Sequence, residues 1–234
     1  MNTQIDLKTI DLSDDQKLWR YMDISKFISM LDSNAIWLAR ADTVKDKHEG
    51  RFPDDMRKRI KDAYRNFPDT DKSPVKDADD FQDYLVKNTF ISCWHKNLDE
   101  NMVMWEIYGR ENSSLAVQTT VGRIRSNTDT SKLNGYSLIM KGIDYKNADE
   151  IQGVIKYEEC FLRKRRHYVY EEEVRISLDT YNKCAPTKNT PYGYLLPCKL
   201  NLIIESILVH PDCSDWFLKV INSICSKYKK GSFS

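Results

Sequence analysis

A chain of 234 residues that is 41% hydrophobic and 30% charged is long enough to bury a core without disulfide staples and too apolar to be disordered. Its 36 basic residues balance 35 acidic ones, so the net charge of +1 gives no global pull toward nucleic acid or an anionic membrane, and any basic surface must be local. With no basic start leading into an apolar run and no uninterrupted apolar stretch long enough for a bilayer, a cytoplasmic protein with reduced cysteines and no membrane partner is expected.

Residues 18–21 read as a short strand. Asp23 is placed to cap a helix in which Ile24, Phe27, Ile28 and Leu31 recur at helical spacing, and residues 36–39 form a second strand. Between Asp42 and Asn88 the texture changes to a weakly hydrophobic, charged stretch. Pro53 starts a helix there with Met56, Ile60, Ala63 and Tyr64 on its apolar side, and Phe81, Tyr84 and Leu85 mark another. This stretch reads as a peripheral helical insertion. Residues 89–94 form the next strand, and Asp99 caps a helix carrying Met102, Trp105 and Tyr108 that stops at Gly109. Strands follow over 114–119 and 137–145, with a turn or short helix at 121–124 between them. Residues 158–170 fit helix and extended chain equally. Strands at 193–196 and 206–209 precede a final helix capped by Asp215, with Phe217, Val220, Ile221, Ile224 and Tyr228 inward. The sum is one α+β domain over 1–234, a mixed and mostly antiparallel sheet with helices packed on it, and 42–88 inserted within it.

The stretch Tyr170-Glu171-Glu172-Glu173-Val174-Arg175-Ile176-Ser177-Leu178 runs three carboxylates into an alternating apolar segment. As a strand it places Glu172, Val174, Ile176 and Leu178 on one face and Glu171, Glu173 and Arg175 on the other, with same-face neighbours roughly 6–7 Å apart. Carboxylates that close shift each other's titration unless a cation intervenes, and Arg163-Lys164-Arg165-Arg166 lies just upstream to supply one. A solvated, charged edge strand explains the same residues.

Several catalytic signatures are absent. There is no GxxxxGK[ST], GxGxxG, GxSxG or HExxH, and the six cysteines are widely spaced without a CxxC, so a P-loop, a Rossmann fingerprint and a zinc site are not expected. What remains is a set of polar groups on three strands: Arg20 between Trp19 and Tyr21, Ser92 between Ile91 and Cys93, and Glu171 with Glu173. A guanidinium suits a phosphate or pyrophosphate, and a fixed carboxylate suits a sugar hydroxyl or an oxocarbenium-like centre. Trp19, Tyr21, Trp37, Trp94, Trp105 and Tyr108 could line a cleft and stack a nicotinamide or nucleobase, although spacing assigns Trp37 and Trp105 to the core.

Two resemblances enter at these residues. Phe90-Ile91-Ser92-Cys93-Trp94-His95, Met104-Trp105-Glu106-Ile107-Tyr108, Leu115 to Thr120, Lys164-Arg165 and Glu171-Glu172-Glu173-Val174-Arg175 together resemble a large bacterial domain-of-unknown-function family. The acidic N-D-P-x-E loop of that family reads Lys45-Asp46-Lys47-His48-Glu49 here, keeping Asp46 and Glu49 without the Asn and Pro. Membership implies company with anti-phage or toxin-like genes. The order of Arg20, Ser92 and Glu171-x-Glu173 is also similar to the ADP-ribosyltransferase superfamily of the arginine-serine-glutamate type, whose split sheet the fold would then share. That resemblance implies NAD as substrate and no metal. It assigns Arg20 to the NAD phosphates or ribose and Ser92 to bracing the catalytic glutamate. It assigns Glu173 to the oxocarbenium ion and Glu171 to orienting a protein or nucleic-acid acceptor. The superfamily's Ser-Thr-Ser reads Ser92-Cys93-Trp94. The expected site thus comprises Glu173, Glu171 and Ser92 for chemistry, and Arg20, Tyr21, Trp94 and Tyr108 for the nucleotide. Asp46, Glu49, Lys164, Arg165 and Arg175 are further candidates. The competing expectation is a non-catalytic module that binds nucleic acid or a partner through 163–166. A metal-dependent nuclease built on Asp46, Glu49 and Glu173 has only its carboxylate count behind it.

Overall fold

In the computed structural model, period-two alternation of apolar residues sets the central strands. The structure describes residues 6–44, 46, 50–66, 77–109, 111–133, 135–147, 150–151, 153, 155–181 and 190–231. Strands β1 (Lys8–Ile10), β2 (Lys17–Asp23), β3 (Ala35–Arg40), β4 (Thr89–Lys96), β5 (Ser114–Thr120), β6 (Ser137–Gly142), β9 (Glu173–Asp179), β10 (Gly193–Pro197) and β11 (Ser206–Val209) form one sheet. Its order is β1-β6-β9-β4-β2-β5-β11, with β3 and β10 on a branch from β4. Every pairing in it is antiparallel except β1 with β6. The short strands β7 (Asp144–Tyr145) and β8 (Arg163–Lys164) pair separately and in parallel.

One face of the sheet carries the main core. Phe90 and Trp94 of β4, Val174, Ile176 and Leu178 of β9, and Leu18 and Met22 of β2 pack there. Helices α1 (Ile24–Ser33), α5 (Val121–Asn127), α6 (Leu200–Ile203) and α7 (Asp215–Gly231) cover them through Phe27, Ile124, Ile203, Phe217 and Ile221. The alternate residues of β2, Trp19 and Tyr21, join Met104, Trp105 and Ala116 in a smaller cluster. A third cluster binds α2 (Asp54–Asn66) and α3 (Ala78–Lys87) to the turn at 157–161, through Met56, Leu85, Cys160 and Phe161. The helical insertion is therefore seated on the domain by buried contacts.

The feature that makes a site is a branch in the sheet. Both β2 and β3 pair with the same edge of β4, at opposite ends: Leu18 and Trp19 face Lys96 and His95, whereas Ala39 and Arg40 face Ile91 and Phe90. Among the described residues no strand pairs with 92–94 on that edge, so the sheet opens between β2 and β3. Helix α1 makes the crossover. It starts where the Asp23 carboxylate accepts the Lys26 amide at 2.8 Å and stops where Asn34 turns left-handed at φ 46°.

Several elements differ from expectation for physical reasons. β9 begins at Glu173, not at Tyr170. Glu171 ends a 3-10 turn over Arg166–Glu171 and Glu172 sits at φ 36°, which breaks the strand's alternation. The ambiguous 158–170 resolves into two such turns around β8. The expected strand at 137–145 divides at Ile143. Asn101, not Asp99, caps the segment after β4, its side chain accepting the Val103 amide at 2.8 Å. That segment, α4 (Met102–Met104), runs on as a π turn over Trp105–Gly109. Ser214, one residue before the expected Asp215, accepts the Phe217 amide and caps α7. Among the described residues no helix is long and apolar enough to cross a membrane.

Candidate functional site

The branch opens into a cleft of about 910 Å³, near the top of the roughly 300–1,000 Å³ range of small-molecule sites. Its walls come from α1 and β3 on one side and from the 102–109 segment and the 164–173 segment on the other, with β4 as the floor. Aromatic rings line it: Trp19, Tyr21, Trp37, Trp94, Tyr108, Tyr168 and Tyr170. Trp37, expected in the core, is 44% exposed, because its neighbours Ile36 and Leu38 take the core face of β3. Trp105 is buried as expected.

Arg20 lies on β2 beside the opening. Its Nη2 donates to the Trp37 carbonyl at 3.0 Å, and its guanidinium stands 5.5 Å from the Trp94 ring centre. No carboxylate pairs with it among the described residues. Burial depresses its pKa, the expected direction for a cation taken from water.

The deep wall holds a charge cluster. Arg175 Nε donates to Glu173 Oε1 at 2.7 Å, and Lys164 Nζ stands 2.6 Å from Glu173 Oε2. Lys164 also pairs with Glu171 Oε2, and the Tyr108 hydroxyl donates to Glu171 Oε1 at 2.8 Å. Arg175 Nη1 donates to the Phe161 carbonyl, and the Glu173 amide donates to the Tyr145 hydroxyl. Glu171, Glu173 and Arg175 are each at most 5% exposed, so these charges act on one another with little screening. Burial alone raises the Glu173 carboxyl, but Arg175 and Lys164 outweigh it and hold the group below the usual carboxylate range. Burial likewise opposes the Lys164 ammonium, and Glu173 beside it holds the proton on. Burial, then the Glu171 charge, raises the Tyr108 phenol. Two carboxyl groups and two basic groups thus form one quartet.

Most of the expected site residues come together here, by a different route from the one foreseen. Glu171 and Glu173 do share a partner, because the turn at Glu171–Glu172 folds Glu171 back over Lys164 rather than because both lie on one strand face. Ser92 does not brace Glu173. It lies opposite Ile176 on the core face of β4, where its hydroxyl accepts Trp94 Nε1 at 3.2 Å. Cys93 occupies the matching place on the Glu173 face, opposite Arg175. Although Cys93 opens onto the cleft, the protein around it and the Glu173 charge push its thiol up to about 12, so it stays protonated at neutral pH. Tyr21 lines the cleft, but its ring packs edge-on against Trp105 and its hydroxyl accepts the Asn101 amide, which makes it a support for the wall.

The basic run does not present one face. Lys164 turns into the quartet, Arg166 pairs with Glu150, and Arg165 lies 3.9 Å from Asp46 with its guanidinium near the Tyr168 ring. Asp46 lines the cleft, and Glu49 lies outside the described residues. Among the described residues no three His, Cys, Asp or Glu side chains are grouped to hold a metal ion. Sequence reasoning weighed Cys93 and His95 only as metal ligands lacking a second pair and did not single out Tyr145; strand register and turns bring all three beside Glu173. Comparison with known proteins found no matching family model, no matching curated protein and no matching solved structure.

Proposed function

We propose that the cleft binds NAD and breaks the bond between nicotinamide and its ribose, passing ADP-ribose to water or to a protein or nucleic-acid acceptor. The observation that carries this reading is one cleft holding both Arg20, a guanidinium without a carboxylate partner among the described residues, and the Glu171–Glu173 pair on the far side of the open β4 edge. Arg20 takes the diphosphate, as its planar donor fork allows. The aromatic walls take the flat bases. Glu173 keeps lone pairs beyond its contacts with Arg175 and Lys164, so it can still accept a ribose hydroxyl. As the C1′–N1 bond breaks, its electron pair stays on nicotinamide and positive charge grows on the ribose. The fixed, buried Glu173 carboxylate lowers the energy of that charge. A new C1′–O bond forms from water or an acceptor hydroxyl, and a proton is released.

The test uses NAD labelled in its adenylate half, with nicotinamide release and label transfer as readouts. Glu173→Gln is expected to slow release by about 100-fold or more, the scale on which fixed electrostatic groups act. Arg20→Ala is expected to weaken NAD binding by about 10- to 100-fold, the equivalent of one charged hydrogen-bonding group. Wild type and Glu173→Gln behaving alike, with neither releasing nicotinamide nor transferring label, defeats the reading.

A further inference from the structure

One buried polar atom on the cleft wall has no hydrogen-bond partner among the described residues and no use in the scheme above. His95 lines the cleft and is 2% exposed. Its Nδ1 lies 2.7 Å from the Glu171 carbonyl oxygen. A carbonyl only accepts, so Nδ1 carries a hydrogen, and in the Nδ1–H tautomer Nε2 presents a lone pair. That Nε2 is buried and has no hydrogen-bond partner among the described residues. Such an acceptor is costly to leave unpaired, and on a residue that lines a cleft a group entering the cleft can pair it.

Resting on the NAD reading, we propose that His95 Nε2 takes the proton from the water or acceptor hydroxyl that attacks C1′. Register places His95 directly opposite Glu173 across the β4–β9 pair, with side chains on one face and Cβ atoms roughly 5 Å apart. A ribose held at Glu173 therefore brings its attacking nucleophile beside the imidazole. The titratable groups clustered around Glu173 are occupied. Both Glu171 oxygens are engaged, by Tyr108 and by Lys164. Glu173 is clasped by Arg175 and Lys164. Tyr21, Tyr108 and Cys93 hold their protons, and Lys164 is spent on the glutamates. The resemblance assigned the orienting of the acceptor to Glu171. Here the backbone carbonyl of Glu171 orients His95, and the imidazole is the group left to act. In the balanced step the nucleophile's O–H bond breaks and its proton passes to Nε2. Its oxygen bonds to C1′, and the C1′–N1 pair leaves on nicotinamide.

Two substitutions separate this role from a structural one. In His95→Asn the side-chain amide reproduces the Nδ1–H donor to Glu171 and places nothing at Nε2, whereas His95→Gln reaches the Nε2 position without imidazole basicity. Both are expected to keep NAD affinity while nicotinamide release falls by about 100-fold or more, the usual contribution of a general base, and His95→Asn, which retains the hydrogen bond to Glu171, is expected to keep its melting temperature as well. An Asn variant that turns over like wild type, in protein that cleaves NAD, overturns the role of His95 alone. Wild-type protein that never releases nicotinamide overturns the NAD reading and this step with it. Should either variant fail to fold, ¹⁵N spectra of wild-type protein labelled at histidine decide. A neutral ring protonated at Nδ1 whose Nε2 signal moves on adding ADP-ribose supports the assignment, and a ring protonated at Nε2 refutes it.

Discussion

Asp179, at the far end of β9 from the quartet, offers a test of how firmly this sheet excludes water. Asp179 is 1% exposed, and its Oδ1 accepts the Thr89 hydroxyl at 3.0 Å. Burial raises its pKa to about 7 from an ordinary 3.8, with Thr89 pulling weakly the other way. Each pKa unit is worth about 1.4 kcal/mol, so ionising Asp179 costs the fold up to about 4 kcal/mol. The sign follows from proton binding. Between pH 3.8 and 7 the folded state holds a proton that the unfolded chain has lost, so this group's contribution is full below the lower value and gone above the upper one. Asp179→Asn keeps the acceptor for Thr89 and removes the charge. Urea denaturation of both proteins at pH 5 and pH 8 should show an advantage for the variant that grows by more than about 2 kcal/mol over that interval. Subtracting wild type from variant cancels the other titrating groups. A difference that stays flat across those two pH values refutes the claim that Asp179 is buried without compensation.

Lys164→Met leaves Glu171 and Glu173 buried with Arg175 as the only cation of the quartet, so stability should fall by about 3–5 kcal/mol, read as a drop in urea midpoint. A midpoint matching wild type would show that the quartet is solvated. Ser92→Ala removes the acceptor of the Trp94 indole and should cost about 1 kcal/mol in the same assay while nicotinamide release stays unchanged. Loss of turnover in a stable Ser92→Ala protein would return Ser92 to the chemistry.

The strand–helix–strand unit β2-α1-β3 was legible because its signals are local: a capping aspartate, a 3.6-residue apolar period and two short alternating runs. The core face of Val174, Ile176 and Leu178 was legible for the same reason, since a period of two names the residues that share a face. What the alternation cannot state is which strand lies opposite, and in which register. Alternation puts Ser92 and Cys93 on opposite faces of β4 without saying which face meets Glu173. Pairing His95 with Glu173 and Cys93 with Arg175 decides between them. Nor does a run of three glutamates announce that Glu172 will turn left-handed, for no glycine or asparagine marks the spot. Lys164 sits among three other basic residues of like chemistry, and only the packing of β8 against β7 carries it into the quartet. Composition and periodicity thus determined an α+β sheet with an arginine strand and a carboxylate strand. Tertiary pairing alone decided that the carboxylates share one half-buried lysine and that the sheet branches open beside Arg20. Contacts between residues distant in sequence depend on register and turns, which local pattern does not encode.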